Sequence, residues 1–152
     1  MKILAIDSGN VESAYCLIDC ETMKPLEFGK IDNNEMLSKI KELEYDKIIL
    51  EMVASYGMAV GATVFETCVW IGRFIETRTC EEWEYIYRKE EKMNLCNSMK
   101  AKDSNIRQAL IDRFGEVGTK KNQGFFYGFK KDIWAAYAVG VTWIDKQKEL
   151  NK

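Results

Sequence analysis

The 152-residue chain contains no histidine. That absence removes the Ser-His and Cys-His nucleophile–base pairs of covalent hydrolases and leaves little from which to build a structural zinc site. Five cysteines are present (Cys16, Cys20, Cys68, Cys80 and Cys96), and no two are spaced as Cys-x-x-Cys. An odd set without paired spacing predicts reduced thiols in a cytoplasmic protein rather than a disulfide framework. Proline occurs once, at Pro25, and no low-complexity tract or linker interrupts the chain. Residues 1–152 are therefore expected to form a single domain, long enough to bury a core. No membrane span is expected, because Glu66 and Arg73 break the most apolar stretch, residues 58–75. The opening Met1-Lys2-Ile3-Leu4-Ala5-Ile6-Asp7 is charged too early for a signal peptide. Neither Gly-x-x-x-x-Gly-Lys nor Gly-x-Gly-x-x-Gly occurs, so the glycine-rich nucleotide loops are excluded. A strong charge of one sign is missing too, with 22 basic against 24 acidic residues.

What is present is three acids in apolar settings. Asp7 ends the run Ile3-Leu4-Ala5-Ile6, and Glu51 lies within Ile48-Ile49-Leu50-Glu51-Met52-Val53. Asp132 opens a helix-like stretch of small and apolar residues. Glu51 is the most informative, since an ionised carboxylate inside an apolar strand costs several kcal/mol unless a cation or hydrogen bonds compensate. Arg73 is one candidate partner for it. Brought to one sheet edge, the three would form a hard oxygen site suited to Mg²⁺. In isolation Asp7 is equally well a turn former, and Asp132 a residue favoured at a helix start. Charge is also unevenly distributed. Residues 98–131 carry eight Lys/Arg against three acids, a local +5, while the remainder is −7. Lys102, Arg107, Lys120, Lys121, Lys130 and Lys131 in that segment suit a phosphate-rich partner.

Apolar periodicity predicts strands over residues 2–7, 12–20 and 26–31, joined as a meander. A helix follows to about Glu44, capped by Asn33 or Asn34, then a strand over residues 46–53 that a crossover places parallel to its neighbour. Residues 58–77 read as a helix apolar almost all the way round, buried within the domain or against a second subunit. Gly57, Gly61 and Gly72 would let another backbone approach it. A fifth strand at 83–87 leads into a mixed-charge connection. Helices are expected at 103–114 and 131–148, with a Gly/Lys/aromatic loop between. In the last helix Ala135, Ala136, Val139 and Gly140 make a face small enough to lie close on the sheet. The order βββαβαβαα defines an α/β layered domain.

With these residues in view, the chain resembles the RuvC-like Holliday junction resolvases, particularly the short versions carried by bacteriophages. The resemblance runs from Ile3-Leu4-Ala5-Ile6-Asp7-Ser8-Gly9, through Ile48-Ile49-Leu50-Glu51, to Asp132-Ile133-Trp134-Ala135-Ala136-Tyr137-Ala138. Lys102-Asp103-Ser104-Asn105-Ile106-Arg107-Gln108-Ala109-Leu110 is similar to the family's helix between the second and third acids. The resemblance implies a ribonuclease H-like fold, with a five-stranded mixed sheet (three-strand meander, then two parallel strands) flanked by helices. It implies a homodimer that cuts opposed strands of a four-way junction, in the bacterial host cytoplasm for a phage or prophage protein. Asp7, Glu51 and Asp132 would be the catalytic ligands of two Mg²⁺ ions, with Mn²⁺ able to substitute. The helix over 58–75 is the element expected at the dimer interface. Tyr56, Phe125, Phe126 and Tyr127 are candidates either for stacking on unpaired bases or for core packing. One departure stands out. Many members carry a second acid three residues into the last motif, where this chain has Ala135. The site is then three carboxylates, or takes a fourth from elsewhere. The same acids would equally serve a nuclease acting on RNA, flaps or forks, and the missing acid leaves a non-catalytic junction-binding relative open.

Overall fold

Residue alternation in the first strand sets the layout of the whole molecule. In the computed structural model, which describes residues 1–78 and 82–152, β1 (Lys2–Asp7) is the middle strand of five. Its residues Ile3 and Ala5 point to one side and Leu4 and Ile6 to the other, and all four are fully buried. A strand covered on both faces must be apolar throughout, as this one is. β2 (Glu12–Asp19) and β3 (Pro25–Asp32) continue from it as an antiparallel meander. After α1 (Asn33–Glu42), β4 (Lys47–Met52) returns parallel to β1, and after α2 (Ala62–Glu76), β5 (Glu82–Tyr87) lies parallel to β4. The resulting sheet order is β3-β2-β1-β4-β5, the mixed sheet expected from the sequence. Three helices complete the chain: α3 (Arg88–Cys96), α4 (Asp103–Phe114) and α5 (Ile133–Leu150).

The two faces carry separate cores. Leu4, Ile6, Leu17, Ile48 and Leu50 pack with Met36 and Ile40 of α1 and with Ile71 and Phe74 of α2. On the other face Ile3, Ala5, Cys16, Ile18 and Ile49 meet α5, together with Ile106 and Leu110 of α4. The small-residue face of α5 does what its composition predicts. A Cβ on Gly140 would overlap Ile18 and come within 3.1 Å of the Ala5 Cβ, so glycine sets how closely the helix lies on the sheet. Gly140→Leu is expected to lower stability by about 1–3 kcal/mol through overpacking. It should appear as a fall in the urea midpoint at unchanged m-value; a wild-type midpoint would show that α5 is free to lift.

Several boundaries differ from expectation. The cap of α1 is Asp32, whose carboxylate accepts from the Asn34 backbone N–H at 2.8 Å. Asn33 is buried instead, for a reason given below. α2 begins at Ala62 rather than at residue 58, because Tyr56 and Gly57 take positive φ and Gly61 is extended. α2 is also not buried all round: Ile71 and Phe74 are enclosed, while Phe65 and Val69 stand 62% and 63% exposed. Among the described residues nothing lies within 4 Å of a Cβ built on Gly57, Gly61 or Gly72, so no described backbone approaches them. α3 is a helix where a connection was expected. Phe126 is fully enclosed and stacks among Phe129, Trp134 and Tyr137, and Phe125 lies flat on Phe114. These two are core residues; Tyr56 and Tyr127 are exposed. Cys16, Cys20, Cys68 and Cys96 are free thiols, and Cys80 lies outside the described residues. Among the described residues no helix is long and apolar enough to cross a membrane.

Candidate active site

Strand alternation and register bring the first two acids together. Asp7 follows Ile3 and Ala5 on the α5 face of β1, and Glu51 follows Ile49 on the same face of β4. The parallel register pairs Ile6 with Leu50, so Asp7 and Glu51 fall side by side one step further on. Both lie at the carboxyl ends of parallel strands, where α/β sheets commonly bind ligands. The turn after Asp7 is tied down by a buried polar set. The Gly9 N–H donates to Ser13 Oγ at 3.1 Å, Ser13 Oγ donates to Asn33 Oδ1 at 2.6 Å, and Asn33 Nδ2 donates to the Gly9 carbonyl at 2.9 Å. This explains the burial of Asn33. Gly9 is required because any Cβ there would overlap the Glu12 carbonyl.

The electrostatics show two acids that cannot both be charged at no cost. Burial first, then the charge of Glu51 and a hydrogen-bond contact with its carboxyl, push the Asp7 carboxyl up to about 8; Asp132 adds to the rise and Arg88 opposes it. A hydrogen bond between two carboxyl groups needs a proton on one of them. Glu51 has a second acidic neighbour, Glu91 of α3, which sequence reading passes over. Glu91 is 0% exposed, and burial together with contact to Glu51 holds it well above the usual carboxylate range. Glu51 Oε1 and Glu91 Oε2 are buried without any hydrogen-bond partner. The compensating cation is Arg88 rather than Arg73, which instead lies 4.2 Å over the Trp70 ring. The Arg88 guanidinium is 3.3 Å from Glu91 and 3.9 Å from Glu51, and also meets Asp103 at the start of α4.

Asp132 is the N-terminal cap residue of α5, yet its side chain makes no capping bond. Its Oδ2 accepts from Lys30 Nζ at 2.7 Å, and the side chain is 52% exposed. This contact raises the Lys30 pKa. Asp132 is thus near enough to Asp7 to influence it, but is turned towards β3. Among the described residues no three such side chains stand ready around a common point for a metal ion. Two cations stand in the way, Lys30 on Asp132 and Arg88 between Glu51 and Glu91. The donors themselves are all carboxylate oxygens, the chemistry a hard divalent cation takes. Lys30 and Arg88 are the other residues missed from sequence. Nothing in the spacing of Gly29-Lys30-Ile31 marks it, and Arg88-Lys89-Glu90-Glu91-Lys92 reads as a solvated charge run.

The six basic candidates are all exposed. Lys102 caps α4 beside Asp103, and Arg107 lies on that helix. Lys120 and Lys121 form the tip of a short hairpin closed by the Gly118–Gln123 bridge. Lys130 and Lys131 line one open cleft with Lys30, immediately before Asp132.

A meander followed by parallel strands, with acids at the ends of the first and fourth, defines a ribonuclease H-like α/β fold. Among solved structures, the chain is similar to Thermus thermophilus RuvC, with a TM-score of 0.73 at 12% identity over 98% of this chain and 97% of that one. It is similar also to T. thermophilus RuvC in complex with a Holliday junction substrate, with a TM-score of 0.71 at 10% identity over 97% and 96% of the two chains. At this identity the likeness establishes the fold. No protein-family profile and no curated protein matches the sequence.

Proposed function

We propose that the chain is a metal-dependent endonuclease that resolves branched DNA, four-way (Holliday) junctions, by paired phosphodiester hydrolysis as a homodimer. The observation carrying this reading is the meeting of Asp7 and Glu51 at the carboxyl ends of β1 and β4, with Asp132 beside them, on the fold of RuvC. A RuvC of that fold has been solved holding a Holliday junction.

Asp7, Glu51 and Asp132 would hold two Mg²⁺ ions, or Mn²⁺ in their place. When bound, the ions supply Lewis-acid stabilisation of the phosphate and activation of a water. The chain's own residues do the rest. Asp7 would offer its carboxylate to them, and Asp132 would turn inward from Lys30. Lys30 is then free, next to Lys130 and Lys131, to hold the phosphate entering the site. Lys102, Arg107, Lys120 and Lys121 extend the phosphate track without reading bases. Tyr56 and Tyr127 are the aromatic rings left exposed for unpaired bases.

Paired cutting requires two copies, and α2 supplies a face for the second. Ala62, Phe65, Val69 and Gly72 are exposed at helical spacing, and the open space at Gly72 admits close approach. The face repeats itself across a two-fold axis.

Lys120→Ala with Lys121→Ala is expected to weaken junction binding to a similar degree at every sequence. Each lost phosphate contact lowers the slope of log K against log salt by about 0.9. A wild-type slope in the double variant would show that the hairpin tip faces solvent. The substrate is tested by incubating the protein with labelled four-way junction, duplex, flap and RNA–DNA hybrid in Mg²⁺, Mn²⁺ or EDTA. Cleavage confined to the junction supports the proposal, and preference for the flap or the hybrid overturns it in favour of a single-cut nuclease.

A further inference from the structure

Glu91 is a carboxylate that the three-acid site does not use, and its position is hard to explain structurally. It is 0% exposed on α3, the helix that leaves the end of β5 beside β4. One oxygen meets Arg88 at 3.3 Å, while Oε2 is buried with no hydrogen-bond partner. Its carboxyl contacts that of Glu51, which in turn contacts that of Asp7. Breaking solvation of a carboxylate and then leaving one oxygen orphaned is a cost that structural ion pairs generally avoid. A side chain meant only to balance Arg88 gains nothing from being aimed at a second acid. Arg88 moreover has another partner in Asp103, whose side chain is 90% exposed. The guanidinium can therefore stay on Asp103 and release Glu91.

We infer that Glu91 is a fourth carboxylate ligand of the divalent cation site formed by Asp7, Glu51 and Asp132. This rests on the proposed metal-dependent nuclease. In this arrangement Glu51 lies between Asp7 and Glu91, so the donor set extends from β1 across β4 to α3, with Asp132 approaching from α5. Arg88 is the cation that faces both Glu51 and Glu91. A divalent cation held there would give the orphaned oxygens of Glu51 and Glu91 a partner. The acid lacking at Ala135 is supplied by a different helix.

The test uses the full chain without DNA. Mn²⁺ binding to wild type, Glu91→Gln and Glu91→Asp is measured by titration calorimetry, and melting temperature is measured in EDTA and in Mn²⁺. Wild type should bind Mn²⁺ and gain melting temperature from it. Glu91→Gln should bind at least tenfold more weakly and gain correspondingly little from Mn²⁺. In EDTA it should melt no lower than wild type, because Arg88 keeps Asp103 as its partner and the orphaned oxygen is replaced at nearly constant shape. Glu91→Asp keeps the charge and should fall between the two. Wild-type Mn²⁺ affinity in Glu91→Gln, with a lower melting temperature in EDTA, would assign the residue to support of Arg88 and overturn the inference alone. Should Glu91→Gln fail to fold, Glu91→Asp decides the matter, with wild-type affinity counting against ligation. A wild-type protein with no Mn²⁺ affinity overturns this inference together with the metal-dependent reading beneath it.

Discussion

Asp7→Asn is expected to abolish Mg²⁺-dependent junction cleavage, to leave junction binding within about twofold of wild type, and to make the metal-free protein more stable at pH 8. The first two effects follow from removing a ligand charge at nearly constant shape. The third follows from the raised Asp7 pKa. An ordinary Asp releases its proton near 3.8, whereas in the folded chain Asp7 holds it to about 8. Between those values the native state binds a proton that the unfolded state has lost, so stability falls as pH rises through the window. The penalty is complete above about pH 8 and absent below about pH 4. Asparagine carries no such penalty. In EDTA the variant should therefore melt above wild type at pH 8, by roughly 5 °C if about 2 kcal/mol is recovered. The gain should shrink at pH 5. Thermal unfolding at the two pH values checks this, and a variant that melts lower at both would mean that Asp7 serves the fold rather than the site.

The second large effect concerns the α2 face. Wild type is expected to run near twice the 17.6 kDa monomer mass in light scattering at micromolar concentration. Phe65→Glu or Val69→Glu should convert it to folded monomers, since both side chains are exposed and no core contact is lost. Burying a new charge on each side of a two-fold contact is counted twice, which is why one substitution suffices. Cleavage should change with mass, from paired cuts to single nicks. Val64 and Trp70, which stand out in the sequence for hydrophobicity alone, are poorer choices. Both are partly buried, and Trp70 packs on Phe74 beneath Arg73. A wild-type protein that stays monomeric at high concentration would separate the nuclease reading from paired resolution.

The elements that sequence made legible are those whose residues face two layers at once. β1 and β4 are apolar on both sides, so their position and the acids they deliver follow from pattern. α5 announces its contact by small residues, and Gly140 shows why. What stayed hidden depends on tertiary context. Arg88-Lys89-Glu90-Glu91-Lys92 has the composition of a solvated surface, and only the fold places Glu91 inside. The N-terminal turn of α3 is closed by Glu90 reaching back to the Tyr87 N–H at 2.8 Å. A tyrosine at that position gives no capping signal. Lys30 belongs to the third strand of a meander, and its meeting with Asp132 spans 102 positions. The excess apolarity of residues 58–75 reads as a helix buried on several sides, yet α2 encloses Ile71 and Phe74 and leaves Phe65 and Val69 exposed. Asp132 falls where the helix begins, and its attachment to Lys30 is a contact that periodicity does not encode.

The most direct measurement is a map of cut positions on a four-way junction labelled in turn on each strand, in Mg²⁺ and in EDTA. The account predicts Mg²⁺-dependent cuts placed symmetrically on two opposed strands, lost in EDTA and in Glu51→Gln. Cleavage that persists in EDTA or in Glu51→Gln, or a junction bound but left intact in Mg²⁺ and Mn²⁺ alike, would contradict it.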